Sequence, residues 1–390
     1  MLLDGQRIVV LGAGVAGLAV ATALARRGAQ VRVLEQADAI REVGAGLQIS
    51  PNGGAVLRAL GVGGLGSRAE AVVLRNGADA RQVLRMDLDG LRPQQDYRFV
   101  HRADLIGALH GAALQSGVEI SLNRKVLSVD LEADRPVIVT AEGPQDCAVL
   151  IGADGLHSLT RAALNGPEVP FFTGQVAWRA LIPCTPDAPA EAEVFMGPGR
   201  HLVSYPLRGG TLRNIVAVEE RRRWTEEGWT LRDDPMDLRA AFERFDPRVR
   251  GWLDQVEDPW LWGLFRHEVA AQWGRPLPAG GAAILGDAAH PTLPFLAQGA
   301  SLALEDAYVL ARELDRAQSL QAGLAAYQAA RVDRARRAVA AANGNAKAYH
   351  LREPWRGLAH LGLRLSGRLA PGYALSRFDW LYGHDVTAEP

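Results

Sequence analysis

The residues best suited to chemistry fall in four segments. Gly12-Ala-Gly14-Val-Ala16-Gly17 lies near the N-terminus. Gly152-Ala-Asp154-Gly155 follows much later, with Ser158 and Arg161 behind it, and Gly286-Asp287-Ala-Ala-His290-Pro291 comes later still. His201 and Tyr205 stand between the last two. The first segment has the chemistry of a pyrophosphate cradle: Gly12 allows a tight turn, Gly14 lets backbone approach phosphate, and Gly17 permits close packing of helix on strand. In the second, an Asp-Gly turn precedes Ser and Arg three residues apart on one helical face, an interaction platform. His201, Val203 and Tyr205 share one face of a strand by the two-residue period. An imidazole and a phenol on one face can bracket a small aromatic ring.

These residues need particular elements to position them. Ile8–Leu11 reads as a strand buried on both faces. The helix after it, Val15 to Arg27, offers its N-terminal amides and dipole to phosphate, and Gly28 caps it. Gln30–Leu34 forms the next strand. Glu35 at its end is spaced to bond ribose hydroxyls and to repel a 2′-phosphate, which favours FAD or NAD over NADP. Gly61-Val-Gly63-Gly-Leu-Gly66 matches the same glycine pattern, but it follows a helix-like segment and reads as a loop. Val149–Ile151 and Ala282–Leu285 are strands that run into the second and third segments. His201–Leu207, a turn at Gly209-Gly210 and Leu212–Val218 make a hairpin of an antiparallel sheet.

Composition narrows the partners. The chain has 390 residues, 48% of them apolar, and a formal charge of −1. That supplies no field for nucleic acid or an anionic membrane, and a small molecule is the expected partner. Cys147 and Cys184 are too few for a disulfide framework and suit a reducing cytoplasm. Ile8 to Leu24 is apolar enough to imitate a signal or membrane segment, but its glycines fall where a strand–turn–helix needs them. The expected state is a monomer or homodimer without stable membrane association.

Further segments carry a resemblance. Arg41-Glu-Val-Gly44-Ala-Gly46-Leu47-Gln48-Ile-Ser-Pro51-Asn52 follows Glu35, His101-Arg102-Ala-Asp104 opens a helix, and Ala297-Gln298-Gly299-Ala300 precedes Glu305-Asp306. With the three glycine segments in order, the chain resembles the FAD-dependent aromatic hydroxylases, the single-component flavoprotein monooxygenases, and most of all their salicylate hydroxylase-like and 3-hydroxybenzoate 6-hydroxylase-like members. The resemblance extends from the N-terminus to about Arg337. It implies an α/β fold: a Rossmann-like FAD domain, an inserted antiparallel sheet over the substrate, and a helical C-terminal part. The expected divisions are 1–75, 96–170 and 267–330 for the FAD domain, 171–266 with 76–95 for the substrate domain, and 331–390 for the C-terminal segment.

The resemblance also implies roles. Arg41, Gly46 and Leu47 run beside the isoalloxazine. Arg102 lies near the flavin phosphate or ribityl chain, and Asp154 near both FAD and the nicotinamide donor. Gly286 and Asp287 meet the ribityl hydroxyls, two of which one carboxylate can accept. Pro294 is a candidate for the pocket wall, as are Trp178, Arg179 and Phe295. The helix start at Gln298, Gly299 and Ala300 faces the pyrimidine edge, where its dipole stabilises anionic reduced flavin. NADH or NADPH would reduce FAD, O2 would add to give a flavin C4a-hydroperoxide, and its distal oxygen would pass to a phenolic or N-heteroaromatic acid. Relatives acting on hydroxybenzoates and hydroxynicotinate share the His-x-x-x-Tyr pattern, which makes His201 the expected base and Tyr205 its companion. The alternatives are another flavin reaction on the same fold (a polyketide- or quinone-tailoring oxygenase, or a reductase) and a plain NAD-dependent dehydrogenase. A halogenase would need a lysine near the flavin, and the only two lysines, Lys125 and Lys347, lie outside every motif.

The tryptophans Trp252, Trp260 and Trp262, and the stretch Arg221 to Trp229, read as core and interface. The helix from Leu320 carries Arg331, Arg334, Arg336 and Arg337, expected to be solvated or salt-bridged. Asn343-Gly344 is expected to break it.

Overall fold

A computed structural model describes residues 2–40, 46–222 and 231–388. Arg41 and most of the Arg221–Trp229 stretch lie outside the described residues.

The first layer is a six-stranded sheet in the order Gly274–Leu277, Gly280–Ile284, Val149–Gly152, Arg7–Leu11, Gln30–Leu34, Glu119–Ser121. All neighbours run parallel except the first pair. The central strands are buried on both faces, as their unbroken Val, Ile, Leu and Ala runs require. Register sets Leu11 against Gly152 and Gly152 against Ile284. The three glycine segments therefore leave the carboxyl ends of three adjacent strands, although they lie far apart in sequence.

The first turn is tight. Gly12 has φ +94°, and a Cβ there would lie 2.6 Å from the Ala153 carbonyl, so the first two segments touch. A Cβ on Gly17 would lie 1.9 Å from the Gly12 carbonyl oxygen, whereas one on Gly14 meets nothing within 4 Å. The helix Val15–Ala25 thus packs onto its own strand and leaves open space at Gly14, where the phosphate is expected. Gly61–Gly66 follows the helix Pro51–Ala59 and is a loop that leads to a two-residue strand.

The second layer is an eight-stranded sheet. Its order is Leu231–Arg232, Trp260–Arg266, Phe171–Pro183, Leu212–Glu220, Arg200–Leu207, Glu191–Gly197, Ala71–Asn76, Gln82–Asp87. Neighbours are antiparallel except Glu191–Gly197 and Ala71–Asn76. Ala71–Asn76 therefore pairs with the insert, and the boundary expected at residue 75 cuts through a strand of this sheet. On one face Trp178, Phe195, Leu202, Ile215 and Ala217 bury against Phe242, Phe245 and Val249. The other face looks toward the first layer.

The helix Leu320–Tyr349 runs through Asn343-Gly344 without a break. A glycine costs a helix only about 1 kcal/mol. Leu324, Tyr327, Arg331, Ala335, Ala338 and Ala342, at three- and four-residue spacing, form a buried stripe that outweighs it. The C-terminal helix Trp355–Leu369 packs on Gln82–Asp87. Among the tail aromatics, Phe378 and Tyr382 pack inward while Trp355 is exposed. Among the described residues no helix is long and apolar enough to cross a membrane, and no side-chain cluster suits a metal ion.

Candidate functional site

A cavity of about 400 Å³ lies between the two layers. Its floor comes from the glycine segments, through Gly14, Val15, Ala16, Ala153, Gly155, Asp287 and Gly299. Gly46, Leu47 and Arg102 also reach it, as do Pro294, Gln298 and Ala300.

Glu35 sits at the end of its strand and braces the first turn. Its Oε2 accepts the Ala13 amide at 2.8 Å and its Oε1 the Ala37 amide at 2.9 Å. Asp154 turns away from the cavity and accepts the Ser158 hydroxyl and the amides of Leu159 and Thr160, which caps the helix Leu159–Asn165. Burial raises the Asp154 pKa and these bonds oppose the rise. Arg161 donates to the carbonyls of Ala288 and Ala289 at 3.2 and 3.3 Å and pairs with Glu168 at 2.7 Å. It binds the second segment to the third.

Asp287 differs from both. Its carboxyl group opens to the cavity but is surrounded by protein, so its exposed surface faces the cavity rather than bulk water. Burial raises its pKa, while the positive fields of His290 and Arg102 oppose the rise. No described residue donates a hydrogen bond to it.

Behind Asp287 lies a buried ionic cluster. Asp306 accepts the Gly286 amide at 3.0 Å, Arg331 Nε at 2.8 Å and His290 Nε2 at 2.5 Å. Burial alone would raise Asp306, but His290 and Arg331 outweigh it and hold the carboxyl at about 2. Glu305 pairs with Arg331 and Arg334, both at 2.6 Å, and accepts Asn52 Nδ2 at 2.6 Å. Arg331 and Arg334 are therefore salt-bridged inside the protein, and Arg337 lies over the Trp380 ring. Gln298 spends its amide on this framework, donating to Ser50 at 2.9 Å and accepting from Asn52 at 3.2 Å. Its helix makes its first backbone bond from Leu302 to Gln298, which leaves the amides of Gly299, Ala300 and Ser301 without helical partners. Ala297 takes the left-handed conformation at φ +52°, which costs a non-glycine residue about 1 kcal/mol.

The opposite wall is the inner face of the eight-stranded sheet. His201, Val203 and Tyr205 lie on it, with Val216, Val218 and Arg179 on neighbouring strands and Val72, Ala192 and Val194 beyond. Four strand rises, about 13 Å, separate His201 from Tyr205, with Val203 midway between them. His201 is 1% exposed and contacts Phe295 and Tyr349, and its Nδ1 is 2.7 Å from His350 Nε2. Burial and the neighbouring His350 push its pKa well down. Burial pushes the Tyr205 phenol up, so it stays protonated. The Tyr205 ring stacks toward Phe99 and sits so close to Gly46 that a Cβ there would lie 2.7 Å from the ring.

Strand alternation separates neighbours that the sequence grouped together. Trp178 points into the core and donates to Asp233 at 2.6 Å, whereas Arg179 faces the cavity. Trp262, expected as a core and interface residue, is buried in the core and also borders the cavity, with the Arg179 guanidinium 4.8 Å from its ring centre. Sequence reasoning missed Met86, Tyr97, Tyr349, Phe378 and Tyr382, which complete the lining. Period-2 alternation in Ala71–Asp87 could have placed Met86 there. The tail residues carry no such signal.

The donor set suits FAD. A phosphate cradle stands open at Gly14, a carboxylate that accepts from no described residue faces the cavity at Asp287, and helix amides without a partner among the described residues stand at Gly299 and Ala300. A family described as "FAD binding domain" matches residues 6–342. The chain is 36% identical over 359 residues to 3-amino-4-hydroxybenzoate 2-monooxygenase of Streptomyces cremeus, covering 88% of each chain. It is 31% identical over 398 residues to 3-hydroxybenzoate 6-hydroxylase of Klebsiella oxytoca, covering 97% of this chain and 96% of the relative. The chain belongs to the FAD-dependent aromatic hydroxylases. A solved salicylate hydroxylase substrate complex shares the fold, with a TM-score of 0.80 and 24% identity over 99% of this chain and 97% of that one. As a member of this family the protein is a flavin-dependent monooxygenase that uses FAD, NAD(P)H and O2.

Proposed function

We propose that this hydroxylase acts on a small phenolic or N-heteroaromatic carboxylic acid, with His201 and Tyr205 as the residues that handle its ring substituents. The carrying observation is the inner sheet face, where a neutral imidazole and a protonated phenol flank an apolar platform at Val203. Bound FAD supplies the activated oxygen, and the protein supplies placement and proton handling. Phenolate is a far better nucleophile than phenol, so a base at the ring hydroxyl promotes the reaction. Burial keeps His201 unprotonated at neutral pH and therefore able to accept that proton. Tyr205 donates a hydrogen bond and does not ionise. Arg179, held against Trp262, brings positive charge to the same wall and favours a carboxylate on the substrate.

Gly12, Gly14, Ala16, Gly17 and Glu35 would hold the adenosine and pyrophosphate end of FAD, and Arg102, Gly286 and Asp287 its middle. Gly46, Leu47, Pro294, Gln298, Gly299 and Ala300 would border the flavin ring. A cytoplasmic location, supported by the free Cys147 and Cys184, and a monomeric or homodimeric state complete the reading. The test is a panel of hydroxybenzoates, aminohydroxybenzoates and hydroxynicotinates, scored for stimulated NADH and NADPH oxidation, peroxide and hydroxylated product. Coupled product from at least one acid is expected. Only peroxide across the panel would overturn the assignment.

A further inference from the structure

The substrate wall continues outward through a line of polar groups that cavity and cofactor chemistry leave unexplained. His201 Nδ1 is 2.7 Å from His350 Nε2, and His350 Nδ1 is 3.0 Å from Glu220 Oε1. His201 is 1% exposed and His350 is 5% exposed, but the Glu220 side chain is 42% exposed. The three groups therefore connect the cavity to bulk water. Each comes from a different element: the strand Arg200–Leu207, the end of the helix Leu320–Tyr349 and the strand Leu212–Glu220. The His350 carbonyl accepts the Gly199 amide at 3.2 Å, which fixes this helix end against the turn before His201.

We propose that His350 and Glu220 are the proton exit of the active site, relaying the substrate's hydroxyl proton from His201 to solvent. This rests on the phenolic-substrate reading above. The step balances as a concerted shift. The substrate O–H proton passes to His201 Nε2, the His201 Nδ1 proton to His350 Nε2, and the His350 Nδ1 proton to the Glu220 carboxylate. Glu220 then releases it to water. The substrate is left as phenolate, and both imidazoles end neutral with their tautomers exchanged. The reverse shift resets them after oxygen transfer.

The surroundings favour a relay over a lone base. His201 is packed between the Phe295 and Tyr349 rings, and His350 is the titratable group that acts on it. A cation on His201 would be costly there, and a concerted shift never forms one. His350 faces Glu220, the Gln175 amide at 3.4 Å and the field of Arg200. Arg352, 3.5 Å from Glu220, keeps that carboxylate oriented at the surface. Burial lowers the His350 pKa and Glu220 opposes this, so this ring too is neutral at rest.

His350 is thus a positioning and relay residue, tested by proton release rather than turnover alone. FAD-loaded oxidised enzyme, without nicotinamide, is mixed in weak buffer at pH 7 with a phenolic benzoate and phenol red, and release is followed by stopped flow. The O-methyl ether of the same acid is the control. Wild type should release protons with the phenol and none with the ether. His350→Leu and the surface variant Glu220→Gln should each slow release about 100-fold, the low end for a positioned acid–base group, with ligand affinity within about threefold. Added imidazole should restore part of the rate in His350→Ala. Wild-type release rates in either His350→Leu or Glu220→Gln would overturn the relay while leaving the hydroxylase assignment intact. A panel in which no phenol binds or is hydroxylated would overturn that assignment instead.

Discussion

Replacing Asp306 by Asn tests how the cofactor floor is held in place. Asp306 is fully buried and accepts from Gly286, His290 and Arg331. Asn keeps the volume but removes the charge, leaving Arg331 with Glu305 and His290 with only the field of Asp287. Breaking one partner of a buried ionic group costs about 3–5 kcal/mol. Unfolding entropy near 2.1 cal/mol/K per residue gives about 0.8 kcal/mol/K for this chain, so the melting temperature should fall by about 4–6 °C. FAD affinity should fall as well, because the Gly286 amide next to Asp287 loses its anchor. The acid response should also change. The Asp306 carboxyl is held at about 2 against an ordinary 3.8. Its stabilisation of about 2 kcal/mol is therefore present above the ordinary value and lost as pH falls toward 2. His290, whose pKa is raised, adds stability at low pH that fades as pH rises through its folded value. The assays are melting curves at pH 7 and pH 3, and FAD titration by flavin fluorescence. A melting temperature within 1 °C of wild type at pH 7 would refute the reasoning.

Two further outcomes follow from the cofactor floor. Asp287→Asn should weaken FAD binding by about 1.5–3 kcal/mol, the range for a hydrogen bond to a charged group. Because burial raises the Asp287 pKa, wild type should also shed FAD on mild acidification while the variant does so less, and equal FAD occupancy in the two proteins at pH 7 would count against the role. Gly17→Ala should fail to form the first turn, since its Cβ would lie 1.9 Å from the Gly12 carbonyl, whereas Gly14→Ala has open space and should fold yet bind FAD poorly. Comparable thermal melts for the two alanine variants would argue against this contrast.

Much of the fold was legible because its turns demand particular residues. Gly12 at φ +94° is a position that only glycine adopts freely, and the hairpin around Gly209-Gly210 forms where expected. The period of 2 correctly set His201, Val203 and Tyr205 on one face. Adjacency between distant strands was not legible, because parallel register is fixed by buried apolar runs that look alike. The hairpin Ala71–Asp87 joins the substrate sheet through strand pairing, which has no local signature. Local rules failed at Asn343-Gly344, where a buried stripe set by tertiary packing overrode glycine. That failure hid His350, which the unbroken helix delivers to His201 across 149 positions. Trp262 is buried in the core as expected, but its place on the cavity wall as well follows only when alternation is applied to its strand.

The cradle for FAD has a consequence for synthesis. Its parts leave three neighbouring strands, but they run from Gly12 to Ala300 along the chain. A nascent chain on the ribosome cannot offer the complete cradle until most of its length has emerged, and its sheet must wait for long-range pairings that form slowly. The flavin can therefore find its complete site only late, once these strands have paired. Because it binds the folded state alone, its cellular concentration sets how firmly the finished chain stays closed. Scarcity of flavin would therefore be felt as faster protein turnover as well as lost catalysis.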